Sequence, residues 1–374
     1  MKRKLRSKII SGAAAVLTAS ASALYAYYYA ALPFNINVET GAPLTDVGFS
    51  NAHLKNTENG AKYFWGNIPI KRAELTEQER RYLIPGGEPF GIKVMADGVI
   101  VVSAADGSPA DKAGLQQGDV ITSVNGTDVC TNDELAEAIQ EANDSADIVF
   151  RRDECEISVN VTPTRMDGTA KIGAWVRDSA AGIGTLTFVD PETKTFGGLG
   201  HAVSDAATGE AVPLKSGEIT TAEIYDVIKG EKGCAGELCG AILPGSDIGE
   251  VLENTPTGVF GKYCGEICKE PIPAAFRQEV KTGAATVLTT VDGEEPKEYS
   301  IEIERINLPD LMGSKGMLIK MTDPELLEKT GGIVRGMSGS PIIQNGRLVG
   351  AVTHVLVSDP TRGYAVFAES MLDR

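Results

Sequence analysis

Histidine is scarce in this chain: 374 residues hold only three, His53, His201 and His354. That excludes a histidine-rich metal centre and leaves three imidazoles for proton transfer. Positive charge is also short, with 35 Lys and Arg against 51 Asp and Glu and a formal charge of −16. The folded part is more acidic than this, because Lys2, Arg3, Lys4, Arg6 and Lys8 crowd the N-terminus without an acid among them. Such a surface repels phosphate backbones and anionic headgroups, which argues against a nucleic-acid partner. Neither a glycine-rich phosphate loop nor a dinucleotide fingerprint occurs, so no cofactor and no bound metal are expected. Glycine, by contrast, is plentiful at 42 residues, as in folds with many β turns.

Against these gaps, Gly336-Met337-Ser338-Gly339-Ser340-Pro341 is the most informative stretch. It lies between Gly332-Ile333-Val334 and Ile342-Ile343 and reads as a sharp turn joining two β segments. Flanking glycines let the backbone fold tightly around Ser338. Such a turn can aim successive N–H groups into one concavity, with Gly336 and Ser338 as candidate oxyanion donors. A serine hydroxyl needs a base, most often an imidazole. His53 sits in a polar stretch and reads as solvated. His201 lies in Gly198-Leu199-Gly200-His201-Ala202, where glycines confine the ring, and is the better base. His354 follows the serine turn by one β segment and is expected to pack beside or line the cleft. The acid that would orient the imidazole is open between Asp323, Asp190, Asp205 and Asp359. Asp323 also precedes Pro324 and Glu325 as a helix N-cap would, a competing role.

The N-terminus reads as a basic flank ending at Lys8, then an uncharged run from Ile9 to Leu32. That length suits a retained membrane anchor over residues 1–32, with everything beyond it exported. Ala21-Ser22-Ala23 offers the rival reading of a cleaved signal peptide. Export permits disulfides among Cys130, Cys155, Cys234, Cys239, Cys264 and Cys268. The pairs Cys234/Cys239 and Cys264/Cys268 allow local or mutual bridges, with a structural zinc site as the lesser reading and reduced, unpaired thiols as a third. None has the context of a catalytic thiol.

Residues 33–85 read as a stalk with a little β structure, and residues 86–165 as a compact unit. Strands are expected at Phe90–Val94, Gly98–Val102, Val120–Val124, Asp147–Arg151 and Ile157–Val161, with a short helix at 108–115. A second helix opens at Thr131 with a capping box to Glu134. Ser108-Pro109-Ala110-Asp111-Lys112-Ala113-Gly114-Leu115 followed by Gly118-Asp119-Val120-Ile121 resembles a PDZ domain. That resemblance implies a groove that takes an extended peptide as an added strand. Phe90, Gly91 and Ile92 would form its carboxylate-binding loop and the Thr131 helix its other wall. Residues 166–374 carry many short glycine-punctuated runs and read as an all-β barrel or sandwich. Thr220–Lys229 reads as a helix or a loop-rich insertion.

Four segments extend the resemblance: Gly182-Ile183-Gly184-Thr185-Leu186-Thr187-Phe188, Gly198-Leu199-Gly200-His201, the run from Gly331 to Pro341, and Thr353-His354-Val355. Together they resemble the stage IV sporulation protein B family, membrane-bound serine peptidases of endospore-forming Firmicutes. The resemblance implies a chymotrypsin-like β-barrel peptidase domain with Ser338 as nucleophile, His201 as base and Asp323 as acid. It also implies secretion between forespore and mother-cell membranes, self-processing, and cleavage of a membrane-bound regulator that activates a late sigma factor. A PDZ ligand from another copy or from the substrate would then gate the peptidase. Quality-control proteases of the high-temperature-requirement type are a rival, but they place the protease before the PDZ unit. A second rival of another class is a PDZ scaffold on an inactive peptidase fold. The expected fold is mainly β throughout.

Overall fold

Helix α1 covers Lys2–Ala31. The computed structural model describes residues 2–41, 48–49, 52–57, 60–153, 155–266, 269–307 and 313–373. Among these, no helix is long and apolar enough to cross a membrane. The expected spanning anchor is corrected to that extent, and composition gives the reason. The run after Lys8 is diluted with Ser, Thr, Gly and Tyr, whose transfer into hydrocarbon gains little.

The expected stalk is a small docked β unit. Ala52–Thr57, Gly60–Trp65 and Ile68–Arg72 form an antiparallel meander, and Asn35–Glu39 runs parallel to Glu74–Gln78. Ile36, Leu54, Tyr63 and Ile70 fill its core. Arg80 fixes this unit to the rest of the chain, donating to Glu39 and Glu279 at 2.8 Å each.

Beyond it the chain builds two rings of antiparallel strands. In chain order the first uses β1 (Pro89–Ala104), β2 (Ala174–Val189), β3 (Thr195–Gly198), β4 (Leu214–Ile228), β5 (Glu237–Thr255) and β6 (Gly258–Tyr263). Their pairings run β1-β4-β5-β6-β3-β2 and return to β1, so the sheet closes on itself. Phe90, Phe196, Ile219, Val251 and Val259 pack inside. The second ring uses β7 (Gly283–Thr289), β8 (Lys297–Ile306), β9 (Met317–Met321), β10 (Pro341–Gln344), β11 (Arg347–Val355) and β12 (Arg362–Phe367). It closes as β7-β8-β9-β12-β11-β10, with Val287, Ile301, Ile303, Ile319, Ile342 and Val352 in its core. Closure of the second ring removes the free sheet edges that would invite aggregation.

The compact PDZ-like unit is inserted between β1 and β2 of the first ring. The far half of β1 pairs with Val120–Val124, which continues to Ala146–Arg152 and Cys155–Val161. Helix α2 (Asn132–Glu141) opens with the expected capping box between Thr131 and Glu134. Leu135 and Ile139 of α2 meet Val101, Ile121, Ile148 and Phe150. The start of β2, at Ala174–Arg177, pairs with Ile100–Ala104 of β1 in this unit. The expected boundary between 165 and 166 therefore does not separate the two folds.

Two further expectations are corrected here. Phe90, Gly91 and Ile92 do not form a carboxylate-binding loop: they sit mid-strand, paired with Gly182–Gly184 on one side and Ile219–Thr221 on the other. With both edges occupied, no peptide can add there. Gly91 is a glycine because a Cβ would lie 2.5 Å from the Ile242 side chain. Thr220–Lys229 is neither helix nor loop but most of strand β4, which ends at Ile228. Cys130, Cys155, Cys234, Cys239 and Cys264 are unpaired, and Cys268 lies outside the described residues.

Candidate active site

The turn at Ser338 rests between the two rings. Met337 donates its N–H to the Val334 carbonyl (3.2 Å), Gly339 to Val352 (2.8 Å) and Ser340 to Met337 (3.0 Å). The N–H groups of Gly336 and Ser338 are left without an acceptor among the described residues, as an oxyanion hole requires. Gly336 and Gly339 both hold positive φ, +95° and +96°. A Cβ on Gly339 would stand 2.0 Å from the Thr185 carbonyl oxygen, so only glycine lets the turn approach β2 this closely.

The first ring clamps this turn from the far side. Thr185 donates its N–H to the Ser338 carbonyl (2.9 Å) and its hydroxyl to the Gly336 carbonyl (2.8 Å). Thr187 donates its hydroxyl to the Gly339 carbonyl at 2.7 Å. Ser340 is wholly buried and donates to Thr289 at 2.8 Å, which leaves Ser338 as the serine of this turn that faces the cleft. Residue-type reasoning missed the two threonines. Their signal was the alternation Thr185-Leu186-Thr187, two buried hydroxyls on one face of a strand.

Ser338, His201 and His354 line one cleft of about 620 Å³, with Ala180–Ile183, Ala202–Ser204, Leu238, Arg335 and Gly336. His201 is held by the turn Leu199-Gly200, both at positive φ, and its Nδ1 lies 2.8 Å from the Ala202 carbonyl. That bond assigns the proton to Nδ1 and leaves Nε2 as the acceptor. Burial holds the His201 imidazole below the usual histidine range, against the bond to Ala202. The His354 ring lies 4.9 Å from it at 40°, and its buried Nδ1 has no partner among the described residues. Burial first, then neighbouring His201 and Lys315, bring His354 down to about 4. Both rings are therefore neutral near pH 7, as a base must be to accept a proton. The Ser338 Oγ donates to the Thr353 carbonyl at 2.8 Å rather than to His201.

Asp323 does not join this cleft. One carboxylate oxygen caps helix α3 (Pro324–Thr330) through the N–H groups of Glu325 and Leu326, and the other accepts from Ser300. The implied catalytic acid is corrected to a helix cap, since every bond its carboxylate makes is to main-chain N–H groups of its own surroundings. The alternatives are committed elsewhere too. Asp190 pairs with Arg81 (2.7 Å), Asp205 with Arg177 (2.8 Å), and Asp359 with Thr361 and Arg362. Burial alone would raise Asp190 and Asp205, but loop N–H groups and the arginines hold both below the usual carboxylate range. The Ala202 carbonyl occupies the place an acid would take. Among the described residues no group of three or more metal-ligating side chains gathers.

Phe90, Gly91 and Ile92 having been lost to the barrel, the PDZ groove lies elsewhere. Helix α2 does wall a groove, of about 450 Å³, opposite Ala170–Val176.

The architecture and cleft are those of a serine peptidase that carries a PDZ unit. Residues 168–372 match the SpoIVB peptidase S55 family, and residues 100–152 match a PDZ domain. The chain belongs to the SpoIVB peptidase S55 family. Among curated relatives, a probable periplasmic serine endoprotease DegP-like of Hahella chejuensis is 37% identical over 83 residues, covering 21% of this chain and 18% of its own. Serine protease HTRA1 of Xenopus tropicalis is 31% identical over 70 residues, 19% of this chain and 15% of its own. The chain thus spans less than a fifth of these relatives. Among solved structures, the PDZ domain of an SdrC-like protein from Listeria monocytogenes is 29% identical (TM-score 0.21), covering 22% of this chain and 90% of that one. The Rv3671c protease of M. tuberculosis, in its inactive form, is 15% identical (TM-score 0.30), covering 51% and 81%.

Proposed function

We propose that the chain cuts proteins at internal bonds, with Ser338 as nucleophile and His201 as general base. The observation that carries this is the meeting of Ser338, His201 and the unpaired N–H groups of Gly336 and Ser338 on one cleft. In the reaction the Ser338 hydroxyl rotates from the Thr353 carbonyl toward His201, whose Nε2 takes its proton as Oγ attacks the carbonyl carbon. The Gly336 and Ser338 N–H groups receive the oxyanion, His201 returns the proton to the leaving amine, and a water deprotonated by His201 then attacks the Ser338 ester to release the acyl product and restore the hydroxyl. The Ala202 carbonyl fixes the tautomer and supports the imidazolium. A fluorophosphonate probe tests this directly: wild type should label at Ser338 and His201→Ala should not. Labelling at Ser340, or none on folded protein, would sink the assignment.

We further propose a cellular role, for which membership of the SpoIVB peptidase S55 family is the support. The chain acts outside the cytoplasm, between forespore and mother-cell membranes. There it trims itself and cleaves a membrane-bound regulator whose loss activates processing of a late mother-cell sigma factor. Chromosomal Ser338→Ala in an endospore former should leave that sigma factor unprocessed. Normal processing in the variant would remove the signalling role without touching the chemistry.

A further inference from the structure

Strand β2 runs unbroken from the PDZ groove to the serine cleft, and one of its edges carries no strand for most of that length. Between Ala174 and Gly184 it pairs with β1 alone among the described residues, and at Thr185 the second edge is taken by Ser338 and Leu199. At the cleft end, Leu186 turns its N–H toward the Glu88 carbonyl on the β1 side, whereas Thr185 turns its own toward Ser338 (2.9 Å each). Alternation then puts the N–H and C=O groups of Ile183 and Ala181 on the open edge, inside the cleft. At the groove end, the Gly173 carbonyl accepts from Ala105 on the β1 side (2.9 Å), which puts Ala174 and Val176 on the open edge facing α2. The register irregularity between Arg177 and Ser179 is where the two alternations change over.

The groove has a blind end suited to an anion. Gly173 holds φ +77°, and a Cβ there would meet Ser108 at 2.5 Å. The N–H groups of Ile172 and Gly173 have no acceptor among the described residues, Ala170 donating to Gln140 instead (2.7 Å). Lys171 lies at the same end.

We propose that one extended substrate segment occupies both sites at once. Its free α-carboxylate rests on the Ile172 and Gly173 N–H groups, and its chain runs antiparallel to β2 until the scissile bond lies over Ser338. The direction is forced, because the carboxylate must sit at the N-terminal end of β2. From Ala174 to Ile183 the strand advances nine positions, about 30 Å at ~3.3 Å per residue. The enzyme therefore measures its cut from a free C-terminus, roughly eight to ten residues upstream of it, with a kink in the substrate over Asp178. The substrate class is a protein whose extended C-terminal tail is exposed. This rests on the serine-peptidase reading above.

The test uses the full chain as Ser338→Ala, so that its readout is independent of cleavage. Peptides of about twenty residues carry benzoylphenylalanine at one position each, and crosslinks are mapped by mass spectrometry. A probe two to four residues from the free C-terminus should mark α2 or Trp175; a probe eight to ten residues away should mark Ala180–Ile183 or Gly336. Amidating the C-terminus, or filling the groove with Ala136→Trp, should reduce both crosslinks at least fivefold. Ala136 is exposed on α2, so the variant leaves the core intact. Cleft crosslinks that survive amidation, or that ignore probe position, would overturn the proposal. So would carboxylate-dependent groove crosslinks with no cleft crosslink at any spacing, the pattern of a groove serving a second copy or a separate ligand. Failure of the peptidase reading would show separately, as wild-type protein that takes no fluorophosphonate.

Discussion

The ring that presents Ser338 is built of strands four to ten residues long, all of which stay within it. The ring that presents His201 is built around strands of 15, 16, 16 and 19 residues, and two of these leave it to enter the PDZ unit. The first arrangement makes the nucleophile a local product of one closed core. The second makes the base, and the clamp on the serine turn, hostage to strands with ends in another domain. Rigidity and responsiveness are thus divided between the two halves of one active site.

The sharpest way to test that division is to remove one group from each half. Ser338→Ala and His201→Ala should each lower turnover by a similar factor, about 10⁴ or more, because members of one catalytic unit are not additive. Thermal melting should stay near wild type in both. If His201→Ala keeps a tenth of the activity, His354 is the working base.

Next comes the seam. Gly339→Ala places a methyl 2.0 Å from the Thr185 carbonyl at positive φ, so turn and strand must part. We expect a hundredfold or greater loss of peptidase activity, measured beside circular dichroism showing both rings folded. Thr187→Val is milder, leaving the buried Gly339 carbonyl without its hydroxyl donor. That should destabilise by about 1–3 kcal/mol in denaturant titration.

Acid should separate the halves by titration. Burial depresses His201, so the base stays neutral below the ordinary pKa of about 6.5. The acid limb of kcat/KM should therefore have its midpoint below that value; a midpoint above it would contradict the buried, neutral ring. His354, folded at about 4, takes up its proton in the unfolded chain first. Its contribution to stability is whole above about 6.5 and is lost as pH falls toward 4.

The smallest effect is expected at Asp323. Asn caps a helix about as well as Asp, so Asp323→Asn should keep activity within about twofold in a peptide-cleavage assay. Asp323→Ala should cost about 1 kcal/mol of stability. A thousandfold loss in Asp323→Asn would show that the carboxylate reaches His201 in the working enzyme.

What the sequence disclosed was whatever short-range chemistry decides. The glycine-serine turn, the capping box at Thr131 and the cap at Asp323 are each written in a few adjacent residues. Phe90-Gly91-Ile92 misled because a barrel strand and a carboxylate-binding loop use the same local pattern. What distinguishes them is Ile242, some 150 residues further on, lying where a side chain of Gly91 would be. The orienting group for His201 was illegible for a related reason: a main-chain carbonyl has no letter in the sequence, and only aspartates stand out as candidates. Thr185 and Thr187 were visible, but their partners are carbonyls of a turn brought in from the other ring.

Insertion of the PDZ unit between β1 and β2 has a consequence for covalent continuity. Those two strands pair with each other over Pro89–Met95 and Ile100–Ala104 of β1, and each is also held in the first ring by a second neighbour, β4 for one and β3 for the other. A cut anywhere in the intervening loops would leave two polypeptides joined by a ladder of main-chain bonds. Proteolysis there should leave a nicked particle that elutes as one species on a sizing column and separates only in denaturant. Loss of the intact band on a denaturing gel would then record a processing event without measuring the end of the enzyme's working life.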